Sequence, residues 1–346
     1  MSLRFAWKLC ASGARGGLDW QAQPAEWVQL AQAVEYAGFD DLYLPGGPSQ
    51  PDSLMVAAAL CAHTRLLGLT LSLPAEAMLP AALAATLQSL QSLSAGRVRL
   101  HLPDSDRGSL RRAFGEVLNR DQRHERIDEF LDILQRLLHA PATPLDHNGR
   151  YFHLENAGLG LRDLPPALLL LDESLGAERV ANRADFCFVP ATDVAQLGQT
   201  ITRLNRAAQA AGRTLGHVAS FGIIARDSEE EAWDEAARQA QAFAAPARSK
   251  RRRAEASVVE LLAERAEHPA RRREIHPNLW LPAPGESPVL VGTYNQVASR
   301  LRELHGAGLD QIILHAPNSV REVLRFGERV LPLLRQQAEK DTRIGR

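Results

Sequence analysis

Two histidines, His101 and His315, each close a short apolar run, VRLHL and QIILHA, and the segment RHER sets Arg123 beside His124. An imidazole titrates near neutrality, which suits His101 and His315 to general acid or base work; a core or supporting role is the other reading for each. Cys10, at the end of the run SLRFAWKL, reads either as a reactive thiol or as a small buried hydrophobe. Ser174 heads a helical pattern after the run ALLLL, where its hydroxyl and the backbone N–H groups can hold an anion or simply cap the helix. Asp52, in Pro51-Asp52-Ser53, has the position of a helix cap at the start of the next helical pattern. Arg123 presents a planar fork of donors that can grip an anion or pair with a neighbouring acid. His124 offers a polar donor or a structural ring. The histidines show no HxH or HExxH spacing, so no metal site is expected.

These groups can act together only if the runs that carry them end on one face. Eight such runs stand out: SLRFAWKL, DDLYL, LLGLTLSL, VRLHL, ALLLL, DFCFV, HVASFGIIA and QIILHA. Helical patterns follow nearly all of them, at 24–37, from 53, at 80–93, 121–139, 174–182, 194–211, 228–245, 296–306 and 319–335. Alternation of strand and helix means parallel strands with right-handed crossovers, and eight units close most naturally into a (β/α)8 TIM barrel of the α/β class. A doubly wound open sheet is the competing fold, but no Gly-rich nucleotide turn follows the first strand. In a barrel the strand ends share one rim, so Cys10, His101, Ser174 and His315 are expected together there.

Two connections exceed what a helix and loop require, giving insertions after the fourth and seventh strands. One spans 139–166 and contains the strand-like YFHL; the other spans 246–288 and carries Lys250-Arg251-Arg252-Arg253 and Arg271-Arg272-Arg273. The second is read as a lid over the mouth or a solvated basic loop within one 346-residue domain.

The charge balance, 40 Lys plus Arg against 41 Asp plus Glu, offers no broad attraction to nucleic acid or an anionic membrane. Three scattered cysteines argue against a disulfide framework. With no apolar run long enough for a signal peptide or a membrane span, a cytoplasmic protein is expected.

The segments MSLRFAWKL, AQAVEYAGFDDLYLP, SLSAGRVRLHL, RHERIDEFLDILQRLL, AAQAAGRTL before RDSEEEAW, HPNLW, VGTYNQVASRLRELHGAGLDQIIL and FGERVLPLL run colinear with their counterparts in another group. In order and spacing the chain resembles the bacterial-luciferase-like flavin monooxygenases, and within them the alkanesulfonate monooxygenases. The resemblance implies a (β/α)8 barrel using reduced FMN, supplied by a separate reductase, to activate O2 and oxidise a small-molecule substrate. A homo-oligomer is expected. It further implies that Ser174 binds the FMN phosphate, that Arg123 can partner that phosphate, and that Asp52 lies near the flavin. His124 takes the place of a family Tyr.

Departures fall where the family does its chemistry. A family Cys is replaced by Gln50, an Arg and a His by Ser220 and Gly222, and a Tyr by Pro317. The loop ahead of Val289 is shorter, and an expected sulfonate-binding Arg has no counterpart. The family's Gly-Gly-Ser-Ser turn falls on Leu171-Asp172-Glu173-Ser174, so two carboxylates stand beside the implied phosphate. Two readings follow: an FMNH2-dependent monooxygenase whose substrate is not a simple alkanesulfonate, or a non-catalytic, degenerate flavin-binding relative acting as a partner protein.

Overall fold

The computed structural model describes residues 3–9, 24–47, 50–104, 115–139, 143–160, 164–243, 269–283, 286–317 and 319–335. In chain order the elements are β1 (Arg4–Lys8), α1 (Pro24–Tyr36), β2 (Asp41–Leu44), α2 (Ser53–Cys61), β3 (Gly68–Ser72), α3 (Pro80–Ser94), β4 (Val98–Leu102), α4 (Arg120–His139) and the pair β5 (Leu145–Asn148) and β6 (His153–Ala157). There follow β7 (Leu168–Asp172), α5 (Ala177–Arg183), β8 (Phe186–Phe188), α6 (Val194–Ala210), β9 (Gly216–Arg226) and α7 (Glu229–Phe243). Last come β10 (Glu274–His276), β11 (Leu279–Trp280), β12 (Val289–Thr293), α8 (Tyr294–Gly306), β13 (Gln311–His315) and α9 (Ser319–Arg329).

Alternation within each strand makes the barrel. Leu42, Leu44, Leu69, Leu71, Leu100 and Leu102 face outward into one core shared with helix residues such as Leu83, Leu87, Phe130 and Leu134. The intervening side chains turn inward, where Ala6, Tyr43, Leu170, Val218 and Ile313 meet Phe186 and Phe188. Parallel pairing runs β9-β13-β1-β2-β3-β4-β7-β8, and β8 pairs back onto β9, with Phe188 opposite Val218. That last pairing closes an eight-stranded parallel barrel and excludes the open sheet.

The interior at the N-terminal end of the barrel is polar. Arg99 reaches Asp41 at 3.2 Å and donates to Gln311 Oε1 at 3.2 Å, while Thr70 donates to Asp41 Oδ1 at 3.0 Å. All four side chains are buried. Desolvation pushes the Asp41 carboxyl up, and the Arg99 guanidinium beside it opposes that shift.

β9 is longer than the run read from sequence. Its first half pairs with β8 and β13; its second half, Gly222 to Arg226, pairs with β12 above the barrel. β10 and β11 extend β12 antiparallel, over a second apolar cluster built on Trp233 and Trp280. A Cβ at Gly222 would lie 2.6 Å from Val289 Cγ2, so a larger residue at this crossing would have to displace the Val289 side chain.

Of the excursion read as a lid, residues 246–268 and 284–285, including Lys250 to Arg253, lie outside the described residues. The described remainder is anchored. Arg271 pairs with Glu229 and stacks over the Trp233 ring at 5.0 Å, and Arg273 donates to the Pro282 carbonyl. No helix among the described residues is long and apolar enough to cross a membrane.

Candidate functional site

The inward face of β4 carries Arg99 and then, one pleat higher, His101, so the strand that supplies the polar plug also delivers an imidazole to the C-terminal mouth. His101 is 3% exposed. Its Nδ1 lies 2.8 Å from the Tyr43 hydroxyl on β2, and its Nε2 lies 2.8 Å from Asp172 Oδ1 at the end of β7. An ionised carboxylate only accepts, so Nε2 carries the ring proton and Nδ1 accepts from the Tyr43 O–H. Phe188 stacks on the imidazole at 5.0 Å and 12° between planes, fixing the ring's tilt. Burial pushes the Tyr43 phenol well above its ordinary range, a hydrogen bond to Ser72 opposes this, and the Asp172 charge adds to it. Tyr43 therefore stays protonated and donates.

A second network adjoins the first at Asp172, whose Oδ2 accepts from the Asp104 backbone N–H at 2.7 Å. The Asp104 carboxylate accepts from Ser174 Oγ at 3.0 Å and lies 3.5 Å from Arg123, which is 1% exposed. The two side chains read separately as anion ligands thus converge on one internal anion. Ser174 is not the cap expected from sequence. It lies in a 3₁₀ turn, Glu173–Leu175, and the helix begins after Gly176, whose φ of 100° separates turn from helix. Glu173 is drawn off to Arg203.

His315 closes β13 at the same mouth, on the inward face two residues above Ile313. Its Nδ1 is enclosed with no hydrogen-bond partner among the described residues, as is Ser220 Oγ on β9. Desolvation of the ring, reinforced by the Lys8 ammonium, pushes its pKa down to about 3. The expectation of an imidazole poised near neutrality is corrected here: His315 is a neutral ring at physiological pH. Below the ordinary value of 6.5 the unfolded chain binds a proton that the native state refuses. The stability this site contributes is complete above that value and is lost as pH falls toward about 3. The His315 ring resonances should accordingly stay flat between about pH 5 and 8 in NMR titration. A midpoint near 6.5 would show an exposed, titrating ring.

The remaining sequence candidates separate. Asp52 caps α2, accepting from the Met55 N–H at 3.0 Å, which is the cap reading. His124 sits near the start of α4 with Nε2 enclosed and unpartnered among the described residues; burial and the Arg179 and Arg123 charges push its pKa down. Cys10 lies outside the described residues. Tyr43 and Asp104, one in each network, were not singled out by sequence reasoning. The inward period of β2, Asp41 then Tyr43, was the available signal for the first; Asp104 had none, because its partners lie 19 and 70 positions away. No group of three or more His, Cys, Asp or Glu among the described residues could hold a metal ion.

A cleft of about 780 Å³ on the outer flank, lined by Gly198, Arg203 and Glu303 among others, carries none of these strand-end groups. The candidate site is taken at the mouth, where inward side chains from several strands converge.

The model of the family described as luciferase-like monooxygenase matches residues 4–311. The chain belongs to the luciferase-like monooxygenase family. Membership sets its class as an oxidoreductase. Among solved structures, a riboflavin lyase crystallised with modified FMN and riboflavin is similar at 21% identity and TM-score 0.76, covering 98% of this chain and 92% of that one. An EDTA monooxygenase from Chelativorans sp. BNC1 is similar at 17% and 0.75, covering 98% and 95%. A long-chain alkane monooxygenase is similar at 18% and 0.75, covering 98% and 92%. At these identities the structures share the fold.

The FMN implied by the resemblance meets a specific obstacle. At the turn after β7 the donors expected to hold its phosphate, Ser174 and Arg123, are engaged by Asp104, and the Asp172 carboxylate stands beside them. These residues do not fit a phosphate dianion.

Proposed function

We propose that this chain is a flavin-dependent monooxygenase that uses reduced flavin from a separate reductase, and dioxygen, to oxidise a small organic substrate other than a simple alkanesulfonate. The observation that carries the reading is the Tyr43–His101–Asp172 row at the C-terminal mouth of a barrel of this family. When bound, reduced flavin supplies two electrons, one oxygen atom of O2 passing to substrate and the other leaving as water. The chain's contribution is to position groups, exclude water and hold a proton. The Tyr43 O–H, inside the barrel, is linked through the imidazole to a carboxylate at the rim. Ser220 Oγ and His315 Nδ1, enclosed and without a hydrogen-bond partner among the described residues, support a ligand-binding mouth, since buried polar atoms are otherwise satisfied. Ser220 and Gly222 stand where the resemblance to the alkanesulfonate monooxygenases implies Arg and His, which favours a substrate without a strong anionic group. FMN is the flavin that the family resemblance implies, although the turn after β7 does not fit its phosphate.

The test is to add protein to anaerobically reduced FMN and, separately, reduced riboflavin, then mix with oxygenated buffer and follow flavin reoxidation by stopped-flow absorbance. Saturating protein should change the reoxidation rate, and a panel of uncharged organic sulfur compounds, ketones and alkanes should show oxygen incorporation from ¹⁸O2. Reoxidation identical to free flavin at every protein concentration would overturn the reading.

A further inference from the structure

Asp104 follows β4 by two residues, and its carboxylate occupies the space between a buried guanidinium and a hydroxyl, the surroundings that a bound anion would otherwise have. Among the described residues, two other guanidinium groups near the turn are also engaged: Arg203 with Glu173, and Arg179 with both oxygens of Asp128 at 2.5 and 2.8 Å. Asp104, Asp128 and Glu173, among the described residues, each pair with one of these cations, and the Asp172 carboxylate, bound to His101 and to the Asp104 N–H, adds a further negative charge at the turn. A phosphate monoester carries nearly two negative charges and needs donors. To bind here it would have to break the Asp104–Arg123 pair inside a buried setting and then lie against Asp172. An uncharged polyol makes the opposite demand. Its hydroxyls donate, and ionised carboxylates only accept.

We infer that Asp104 is a built-in occupant of the anion position, and that the turn after β7 receives an uncharged, hydroxyl-bearing tail in place of a phosphate ester. Within the flavin reading, on which this inference rests, the ligand is a flavin at the level of riboflavin.

Calorimetric titration of the full chain and of Asp104→Asn with reduced FMN, reduced riboflavin and inorganic phosphate tests this. The unaltered protein should bind riboflavin at least as tightly as FMN and show no phosphate binding at millimolar concentration. Asp104→Asn keeps the shape and removes the carboxylate charge that Arg123 and Ser174 meet. It should gain at least 10-fold in FMN affinity, leave riboflavin within threefold, and acquire phosphate binding. A 10-fold preference of the unaltered protein for FMN, or an FMN-to-riboflavin ratio unmoved by Asp104→Asn, overturns the inference. Failure of both proteins to bind either flavin would sink the flavin reading alone, because the phosphate titration still decides: binding gained in Asp104→Asn supports Asp104 as the occupant, and none overturns it. Should Asp104→Asn fail to fold, Ser174→Ala removes one hydroxyl only. Its FMN-to-riboflavin ratio should match that of the unaltered chain, and a 10-fold fall in FMN affinity would show that Ser174 serves a phosphate after all.

Discussion

Replacing Arg99 by Met should destabilise the chain by about 3 to 5 kcal/mol, the cost of stranding a buried carboxylate whose partner has been removed. Asp41 lies inside the barrel with no exposure, and Arg99 is its cation at 3.2 Å. Met matches the length of the Arg stem, so lost packing contributes little and the effect is electrostatic. Gln311 also loses its Arg99 donor, although its amide can turn. The stranded Asp41 is raised further by desolvation once its cation is gone, and it escapes the penalty by protonating. The loss should therefore be largest near neutrality and shrink as pH falls. Urea denaturation at several pH values checks both features. Adding Asp41→Asn to Arg99→Met should restore much of the stability, since a neutral amide in the same place carries no unpaired charge. A loss below about 1 kcal/mol, or no rescue in the double variant, would mean that water or another cation reaches Asp41.

The barrel was legible because each strand is an apolar run of the right length followed by a helix. The alternation that sends Leu100 and Leu102 outward and Arg99 and His101 inward is a period of two, visible in VRLHL itself. Positions at the rim followed from strand ends, and so His101 and His315 were found. Their chemistry did not follow. The fall in the His315 pKa depends on enclosure and on Lys8, which sits across the β1–β13 pairing and more than 300 residues away in sequence. Of the two readings of Ser174, the cap fails because Glu-Ser-Leu before Gly176 forms a 3₁₀ turn ahead of the helix, and its hydroxyl donates to Asp104 instead. Asp172 and Glu173 were legible as acids beside an implied anion, yet not as groups already committed to His101 and Arg203. Charge at a turn can be counted from sequence; whether that charge is spent cannot.

His101→Gln should lower turnover with reduced flavin and oxygen by about 10²- to 10⁴-fold, the range associated with removing one proton-transferring group. The reason lies in the shape of the row. Tyr43 is 7% exposed and His101 3%, whereas the Asp172 side chain at the other end is 23% exposed, so the row joins the barrel interior to the rim. A proton passing along it must reside transiently on the imidazole, which binds one at either nitrogen. Gln can hold hydrogen bonds to both neighbours with its amide but cannot take up and release a proton, so it keeps the geometry and removes the relay. Tyr43→Phe, which deletes the inner end, should produce a loss of similar order. The two losses should not add in the double variant, because either break interrupts the same path. Ligand affinity measured by calorimetry should stay within threefold in all three proteins, since none of the changes alters charge at the mouth. A turnover within threefold of the unaltered chain for His101→Gln, accompanied by a fall in stability, would reduce the row to a buried hydrogen-bond network that holds β2, β4 and β7 in register. Losses that multiply in the double variant would mean that Tyr43 and His101 act on separate steps.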